Sequence, residues 1–353
     1  MKIAVAMSGG VDSAVAAALL RRAGHEVVGV SMVSWRRSLC CSFEDVAQAR
    51  LLARQLGIKH YLIDLMDPFH QELVQPYVEA RLQGLTPNPC PACNRDFKLG
   101  RMWEALLQRV DVEALATGHY ARQLCDPVSR RQILLQARDR RRDQSYMLWS
   151  LSQEQLQRTL FPLGELSKPE VRALAVELGM EAVAHKPDSQ DLCFLVPDQA
   201  TFWQEQAAGR YAPGEIINAS GQVLGQHKGL VFYTPGQRRG LGIAGAERLY
   251  VSDLDPEQNR LVVGPPAQVN ELYLTQLNWL SVSAQALDCQ AQLRLHGLLL
   301  PARLLPDGDG ARLCFAESIS QVACGQSAVC YDGDGRLLAG GVVSPPKSDL
   351  KTT

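Results

Sequence analysis

The sequence predicts an α/β protein: an N-terminal doubly wound parallel sheet followed by small all-β units. Three observations predict it. Short apolar strands alternate with helical periodicity over roughly the first 120 residues, the pattern of crossover-connected parallel strands. The stretch Ala6-Met7-Ser8-Gly9-Gly10-Val11-Asp12-Ser13 places a glycine turn between the first strand and the first helix. Beyond about residue 200 the long helical periodicity stops. Turns such as Ala219-Ser220-Gly221-Gln222 and Asp332-Gly333-Asp334-Gly335 then punctuate short alternating strands. The division expected is 1–200, 201–267 and 268–353.

The first strand is read at 3–6 and the first helix at 14–22, a stretch without Gly or Pro and rich in Ala and Leu. Their junction has the makings of an anion site. The first N–H groups of a helix lack intrahelical partners, and the helix dipole favours negative charge there. Gly9 and Gly10 let the backbone approach a phosphate, while Ser8 and Ser13 offer hydroxyls. Asp12 is out of place in such a cradle unless Mg²⁺ or a proton transfer is involved. No Gly-Lys-Ser/Thr follows, which excludes a Walker A loop. A second strand at 25–32 ends in Met32, beside the first loop, where an adenine would lie. A helix at 44–56 stops at Gly57, and a third strand covers 59–65.

The chain has 36 Lys+Arg against 37 Asp+Glu, so contact with a nucleic acid must come from local patches. The first residues enter a strand without the pattern of an export signal, and no run of about 18 apolar residues occurs, so a cytosolic, non-membrane protein is expected. Ten cysteines in that setting indicate thiol chemistry or metal binding rather than a disulfide framework.

Thr86-Pro87-Asn88-Pro89-Cys90-Pro91-Ala92-Cys93-Asn94-Arg95 carries three prolines in six residues and is expected to be an extended loop that holds something. A strand at 112–116 runs into Thr117-Gly118-His119-Tyr120. Residues 122–142 then hold seven arginines (Arg122, Arg130, Arg131, Arg138, Arg140, Arg141 and Arg142), an excess that favours a phosphate-backbone footprint over a solvated face. Two helices are expected in 152–180, capped by Ser152 and Ser167. A second cysteine loop follows at Lys186-Pro187-Asp188-Ser189-Gln190-Asp191-Leu192-Cys193-Phe194.

Ser-Gly-Gly-Val-Asp-Ser resembles the pyrophosphate loop of ATP-pyrophosphatases, which split ATP into AMP and pyrophosphate. Further motifs narrow the resemblance: Thr86-Pro87-Asn88-Pro89 leading to Cys93-Asn94, Thr117-Gly118-His119-Tyr120, Arg142-Asp143-Gln144-Ser145-Tyr146, and Asp188-Ser189-Gln190 leading to Cys193-Phe194. Phe161-Pro162-Leu163-Gly164, Gly236-Gln237-Arg238-Arg239-Gly240 and Gly325-Gln326-Ser327-Ala328-Val329 extend it into the β units. Across nearly its whole length the chain resembles the bacterial-type tRNA-specific 2-thiouridylases. That resemblance implies an adenine nucleotide alpha hydrolase-like first domain and a β-barrel as the last.

It also implies ATP-dependent thiolation of the wobble uridine of tRNA, with Mg²⁺, the anticodon arm as substrate, and a persulfide donor such as a cysteine desulfurase or relay protein. Cys93 would be the nucleophile and Cys193 the persulfide carrier, with Asp12 in the catalytic set. Residues 6–13, Met32 and Gly118 would hold ATP. Asn88, Pro89 and Cys90 would face the target base, and His119, Arg142, Asp143, Gln144, Arg294, Leu295 and Gln326 would contact the tRNA. The chain departs from the family pattern at Arg142 (often Lys), at Arg294-Leu295 (commonly Arg-Tyr) and at Cys90 (often Asp). The last creates a Cys-x-x-Cys, so Cys90, Cys93 and Cys193, with Cys40 or Cys41, are candidate ligands of an iron–sulfur cluster or zinc. The alternatives are another adenylating tRNA-modifying ligase of the superfamily, such as a lysidine synthetase, an iron–sulfur-dependent thiolase on the same fold, and a metal-stabilised RNA-binding module.

Overall fold

The computed structural model describes residues 1–36, 38, 42–186, 192–195, 199–243 and 248–345. Its first layer uses strands β1 (Lys2–Ala6), β2 (Glu26–Val33), β3 (His60–Asp64) and β4 (Ala114–Thr117). A hairpin of β5 (Ala121–Cys125) and β6 (Gln132–Gln136) leads to β7 (Thr159–Leu160). The parallel sheet runs β3-β2-β1-β4-β7. In β1, Ile3, Ala4 and Val5 are all fully buried, as a strand covered on both faces requires. Ile3 and Val5 pack with helix α1 (Val11–Arg22) and helix α2 (Phe43–Gln55). Ala4 joins the core on the opposite face, built with the helical segments that follow β3. Helix α2 carries a capping box between Ser42 and Asp45, and Gly57 (φ 63°) ends it.

Three expectations need correction. The segment at 86–95 is not extended throughout, because a helix starts at Cys90–Ala92 and continues as a π-wound stretch, Cys93–Arg101. Pro91 sits in its first turn, where a missing N–H costs no intrahelical bond. Between the two helices expected in 152–180, β7 completes the sheet; the first helix is only Gln153–Gln157. Local spacing could not show that strand, since two residues carry no periodicity. The arginine-rich segment contains the β5–β6 hairpin and spends several guanidinium groups internally. Arg131 donates to Leu280 O (2.8 Å), Arg122 to Gln136 O (2.8 Å) and Arg138 to Glu165 O (2.9 Å).

A further helix, Gln199–Ala207, precedes a four-stranded sheet of β8 (Gly214–Asn218), β9 (Val223–His227), β10 (Tyr250–Asp255) and β11 (Arg260–Gly264), ordered β10-β11-β8-β9. The last unit is a closed barrel. Its strands are β12 (Gln268–Trp279), β13 (Leu287–Gln292), β14 (Leu300–Asp307), β15 (Gly310–Ser320), β16 (Ser327–Tyr331) and β17 (Leu337–Ser344), ordered β12-β15-β14-β13-β16-β17. Closure leaves no unpaired sheet edge, and the barrel has its own apolar core.

The units are held together by buried polar contacts. Trp149 Nε1 donates to Ser327 Oγ (3.0 Å), and Tyr146 OH donates to Ser327 O (2.8 Å). Arg81, 5% exposed, donates to Val231 O (2.6 Å), Tyr233 O (2.8 Å) and Thr86 Oγ1 (3.1 Å), tying the helical layer to the middle unit. Arg81→Met would strand two buried carbonyls. We expect a loss of about 3 kcal/mol, since each unsatisfied buried group costs about 1–3 kcal/mol. The first urea transition of the full chain measures it; an unmoved midpoint would reassign Arg81 to a minor role.

Candidate active site

The winding of the sheet reverses at β1, which pairs with β2 on one side and β4 on the other. Ligands of such sheets bind beyond the strand carboxyl ends at that point. A cavity of about 1260 Å³ opens there, and the loop after β1, Met32 at the end of β2, and Gly118 and His119 after β4 all line it. Gly118 has to be glycine: a Cβ there would lie 2.8 Å from Ser13 N. Gly9 has φ 73° and faces the backbone of Asp45 at a distance no side chain allows.

Within the loop, Ser13 is buried and shapes the turn instead of offering a free hydroxyl. It accepts from Ser8 N–H (3.2 Å) and donates to Gly10 O (3.1 Å). Gly10 caps α1 without a side-chain hydrogen bond, which leaves the helix N–H groups for an anion. Asp12 is explained without a metal. Lys168 Nζ lies 2.9 and 2.8 Å from its two carboxylate oxygens, and Tyr120 OH donates to Oδ1 at 2.8 Å. The Lys168 side chain is only 6% exposed. It is delivered by the helix Lys168–Glu177, fixed by Pro169 in the first turn and a Ser167–Glu170 capping box. Sequence reasoning missed Lys168, although one signal was present: a lysine in a first helical turn opposes the dipole.

The far wall carries the cysteines. Cys93 N–H donates to Pro89 O (2.9 Å), and Cys90 N–H donates to Asn88 Oδ1 (3.2 Å), so the Pro-Asn-Pro segment and the helix start form one rigid corner. Asn94 Nδ2 donates to Met147 O (2.9 Å) and anchors that helix to the neighbouring loop. Cys193 comes from a separate turn at 192–195. Phe194 pins that turn by packing on Phe69, Tyr77 and Phe202 at ring distances of 6.1, 5.2 and 5.6 Å. Cys90, Cys93 and Cys193 are half-buried and line the one cavity. Among the described residues, no three His, Cys, Asp or Glu side chains are grouped to hold a metal ion. Cys40, Cys41, Asp188, Ser189 and Gln190 lie outside the described residues.

The residues expected to contact tRNA divide. His119, Arg142, Gln144 and Leu295 line the cavity, while Arg294 is exposed on the barrel loop beside it. Asp143 is buried and accepts from Ala137 N–H (2.7 Å) and Ser145 OH (2.8 Å), so it organises its loop and does not face outward. Gln326 lines the cavity, but its Nε2 donates to Thr86 O (2.6 Å). Thr86 N–H in turn donates to Cys324 O (2.8 Å), and the barrel thereby braces the Asn88 corner. Lys98 and Arg141 also line the cavity and had not been singled out there by sequence.

His119 Nδ1 lies 2.8 Å from Thr117 Oγ1, which also accepts the His119 N–H at 3.3 Å. Burial, with Lys98 nearby, pushes His119 down to about 3, and burial, with Arg50, pushes His60 down to about 4. Both are neutral in the fold and protonate more readily once unfolded. Their contribution to stability is therefore complete above the ordinary histidine value of about 6.5 and is lost as pH falls from there toward 4 and 3. We expect a lower urea midpoint at pH 5 than at pH 7, and a smaller difference in His119→Asn. An unchanged difference would remove His119 from that dependence.

Comparison with known proteins agrees with this architecture. Residues 1–197 match the family model described as tRNA methyl transferase HUP domain, 202–265 the PRC-barrel domain of the same set, and 269–343 the aminomethyltransferase beta-barrel domain. Over 357 residues the chain is 43% identical to the tRNA-specific 2-thiouridylase MnmA of Synechocystis, covering 99% of this chain and 98% of that one. It is 42% identical to the protein of the same name from Chloroflexus aggregans, covering 98% and 99%. With a family model over more than half its length and relatives matched end to end, the chain belongs to the tRNA-specific 2-thiouridylase family.

Proposed function

We propose that this enzyme uses ATP to replace the C2 oxygen of the wobble uridine of tRNA with sulfur. The observation that carries this reading is a single cavity with an anion-binding loop on one wall and two cysteines, from separate segments, on another. A uracil carbonyl does not release oxide unaided. Attack of the C2 oxygen on the α-phosphorus of ATP forms an O–P bond, and pyrophosphate leaves with the electron pair. The loop at 6–13, with Met32 and Gly118 at the strand ends, would hold the nucleotide. Asn88, Pro89 and Cys90 would seat the base, which reaches the cavity only when splayed from its loop.

A persulfide on Cys193 then attacks C2, and AMP departs with the oxygen. The Cys93 thiolate attacks Cys193 Sγ. The Cys193–sulfur bond breaks toward the base and leaves a thiocarbonyl and a Cys93–Cys193 disulfide, which an external dithiol reduces. In a variant, Cys93 first frees hydrosulfide, which attacks C2 itself. The persulfide sulfur comes from a donor protein such as a cysteine desulfurase or relay protein. Mg²⁺ bound with the nucleotide would neutralise phosphate charge. Among the described residues no helix is long and apolar enough to cross a membrane.

Thiol alkylation tests this reading against an adenylating ligase without sulfur chemistry. Alkylated enzyme should still bind ATP but form no 2-thiouridine. Retained modification of the tRNA after complete alkylation of Cys93 and Cys193 would favour the ligase.

A further inference from the structure

Asn94 lines the cavity next to Cys93 and is only 3% exposed. Two other carboxamides on the wall spend their oxygens on the backbone. Asn88 Oδ1 accepts from Cys90 N–H (3.2 Å), and Gln144 Oε1 accepts from Tyr120 N–H (3.0 Å). Asn94 differs. Its Nδ2 donates to Met147 O (2.9 Å), which fixes the amide, since turning it over would set two oxygens against each other. Its Oδ1 is then left buried with no hydrogen-bond partner among the described residues. Ser34 and Arg81, also on the cavity wall, each hold a buried unpartnered atom too, but a hydroxyl and a guanidinium N–H can donate, whereas Oδ1 can only accept. Buried carbonyl oxygens are nearly always bonded, so this one calls for a donor supplied by what enters the cavity. It also sits in the π-wound stretch Cys93–Arg101, a winding frequent at functional sites.

We propose that Asn94 Oδ1 accepts the N3–H of the target uracil and thereby selects uridine over cytidine at the wobble position. The inference rests on the wobble-uridine reading above and adds a specificity-determining residue to it. Uracil and cytosine both carry a C2 carbonyl, so the reacting atom does not tell them apart. N3 does. In uracil it is a donor; in neutral cytosine it is a lone pair, which would face the Asn94 oxygen with no proton between them. A buried acceptor rejects the base that lacks the donor, because both groups then stay unpaired. The anchor to Met147 O makes the choice firm, since the carboxamide cannot turn over to offer its NH₂ to cytosine without losing that bond. N3 is bonded directly to C2, so the same hydrogen bond holds C2 beside the segment that carries Cys93.

Equilibrium binding of two tRNA transcripts, alike except for U or C at the wobble position, tests this on the full-length protein saturated with a non-hydrolysable ATP analogue. The native protein should bind the U transcript at least about tenfold more tightly, the scale of one buried hydrogen bond gained or left unmade. Asn94→Leu keeps the bulk and removes the acceptor. It should weaken the U transcript by about tenfold and leave the C transcript within about twofold, so that the preference disappears. Loss of the anchor to Met147 alone would weaken both transcripts alike, which makes the U-to-C ratio the quantity that a merely structural role does not move. Thermal melting checks the fold, and Asn94→Ala takes the place of Asn94→Leu if the latter does not fold. Equal binding of the two transcripts by the native protein would overturn the proposal. So would a variant that keeps the native ratio, whether or not both affinities fall. Because no turnover is measured, these failures are distinct from a failure of the thiolation reading, which would show as absent 2-thiouridine.

Discussion

Cys193→Ser is expected to reduce 2-thiouridine formation by more than about a thousandfold, the scale on which removal of an essential nucleophile acts. The substitution changes one atom in a turn held by its neighbour Phe194, 3% exposed, so ATP and tRNA affinities should move less than about twofold. A cysteine serving only as a small hydrophobe would tolerate serine at a cost in stability alone. Single-turnover thiolation, with binding of both substrates measured in parallel, separates the outcomes. A serine variant that still thiolates removes Cys193 from the sulfur path.

Lys168→Met should act at the other wall and on a different substrate. Removing one partner of a buried ion pair costs about 3–5 kcal/mol, but Asp12 is 30% exposed, so a discounted loss of about 2 kcal/mol is expected. Separately from that loss of stability, the uncompensated carboxylate of Asp12 repels the incoming phosphates, and ATP binding is expected to weaken by about tenfold. Adding Asp12→Asn should recover part of the loss, since the charge that caused it is gone. Equilibrium ATP titration of the single and double variants measures this without tRNA. Additive losses in the double variant would mean that the 2.8 Å pair is incidental to nucleotide binding.

Much of this organisation is legible in the sequence, and the rest is not, for physical reasons. The strand, glycine turn and helix at 2–22 are encoded locally: a continuous apolar run, two glycines, then a helix-forming stretch. The Ser167–Glu170 cap could be read for the same reason. Asp12 and Lys168, by contrast, are separated by 156 positions, and the pairing of β4 with β1 and of β7 with β4 brings their segments together. The prolines at 87, 89 and 91 suggest an extended loop if their count alone is weighed. Their positions matter more, because Pro91 falls where a helix start accepts it and so lets Cys93 begin the π-wound stretch facing the cavity. The arginine segment misleads in a similar way. Charge density predicts a surface footprint, but Arg131 and Arg122 are engaged with backbone carbonyls, which leaves Arg141 and Arg142 on the wall of the cavity. Asp143 belongs to a motif that reads as substrate-facing, yet burial turns it into a loop hub and raises its carboxyl above the usual range.

The most direct test follows one sulfur atom. Enzyme charged with an isotopically labelled persulfide donor is mixed with ATP, Mg²⁺ and unmodified tRNA, and the nucleosides are analysed by mass spectrometry after a single turnover. The expected result is labelled 2-thiouridine at the wobble position, formed only with ATP, together with matching amounts of AMP and pyrophosphate. Sulfur incorporation without ATP, or AMP and pyrophosphate formed while the wobble uridine keeps its oxygen, would contradict the assignment of this cavity to adenylation-driven thiolation.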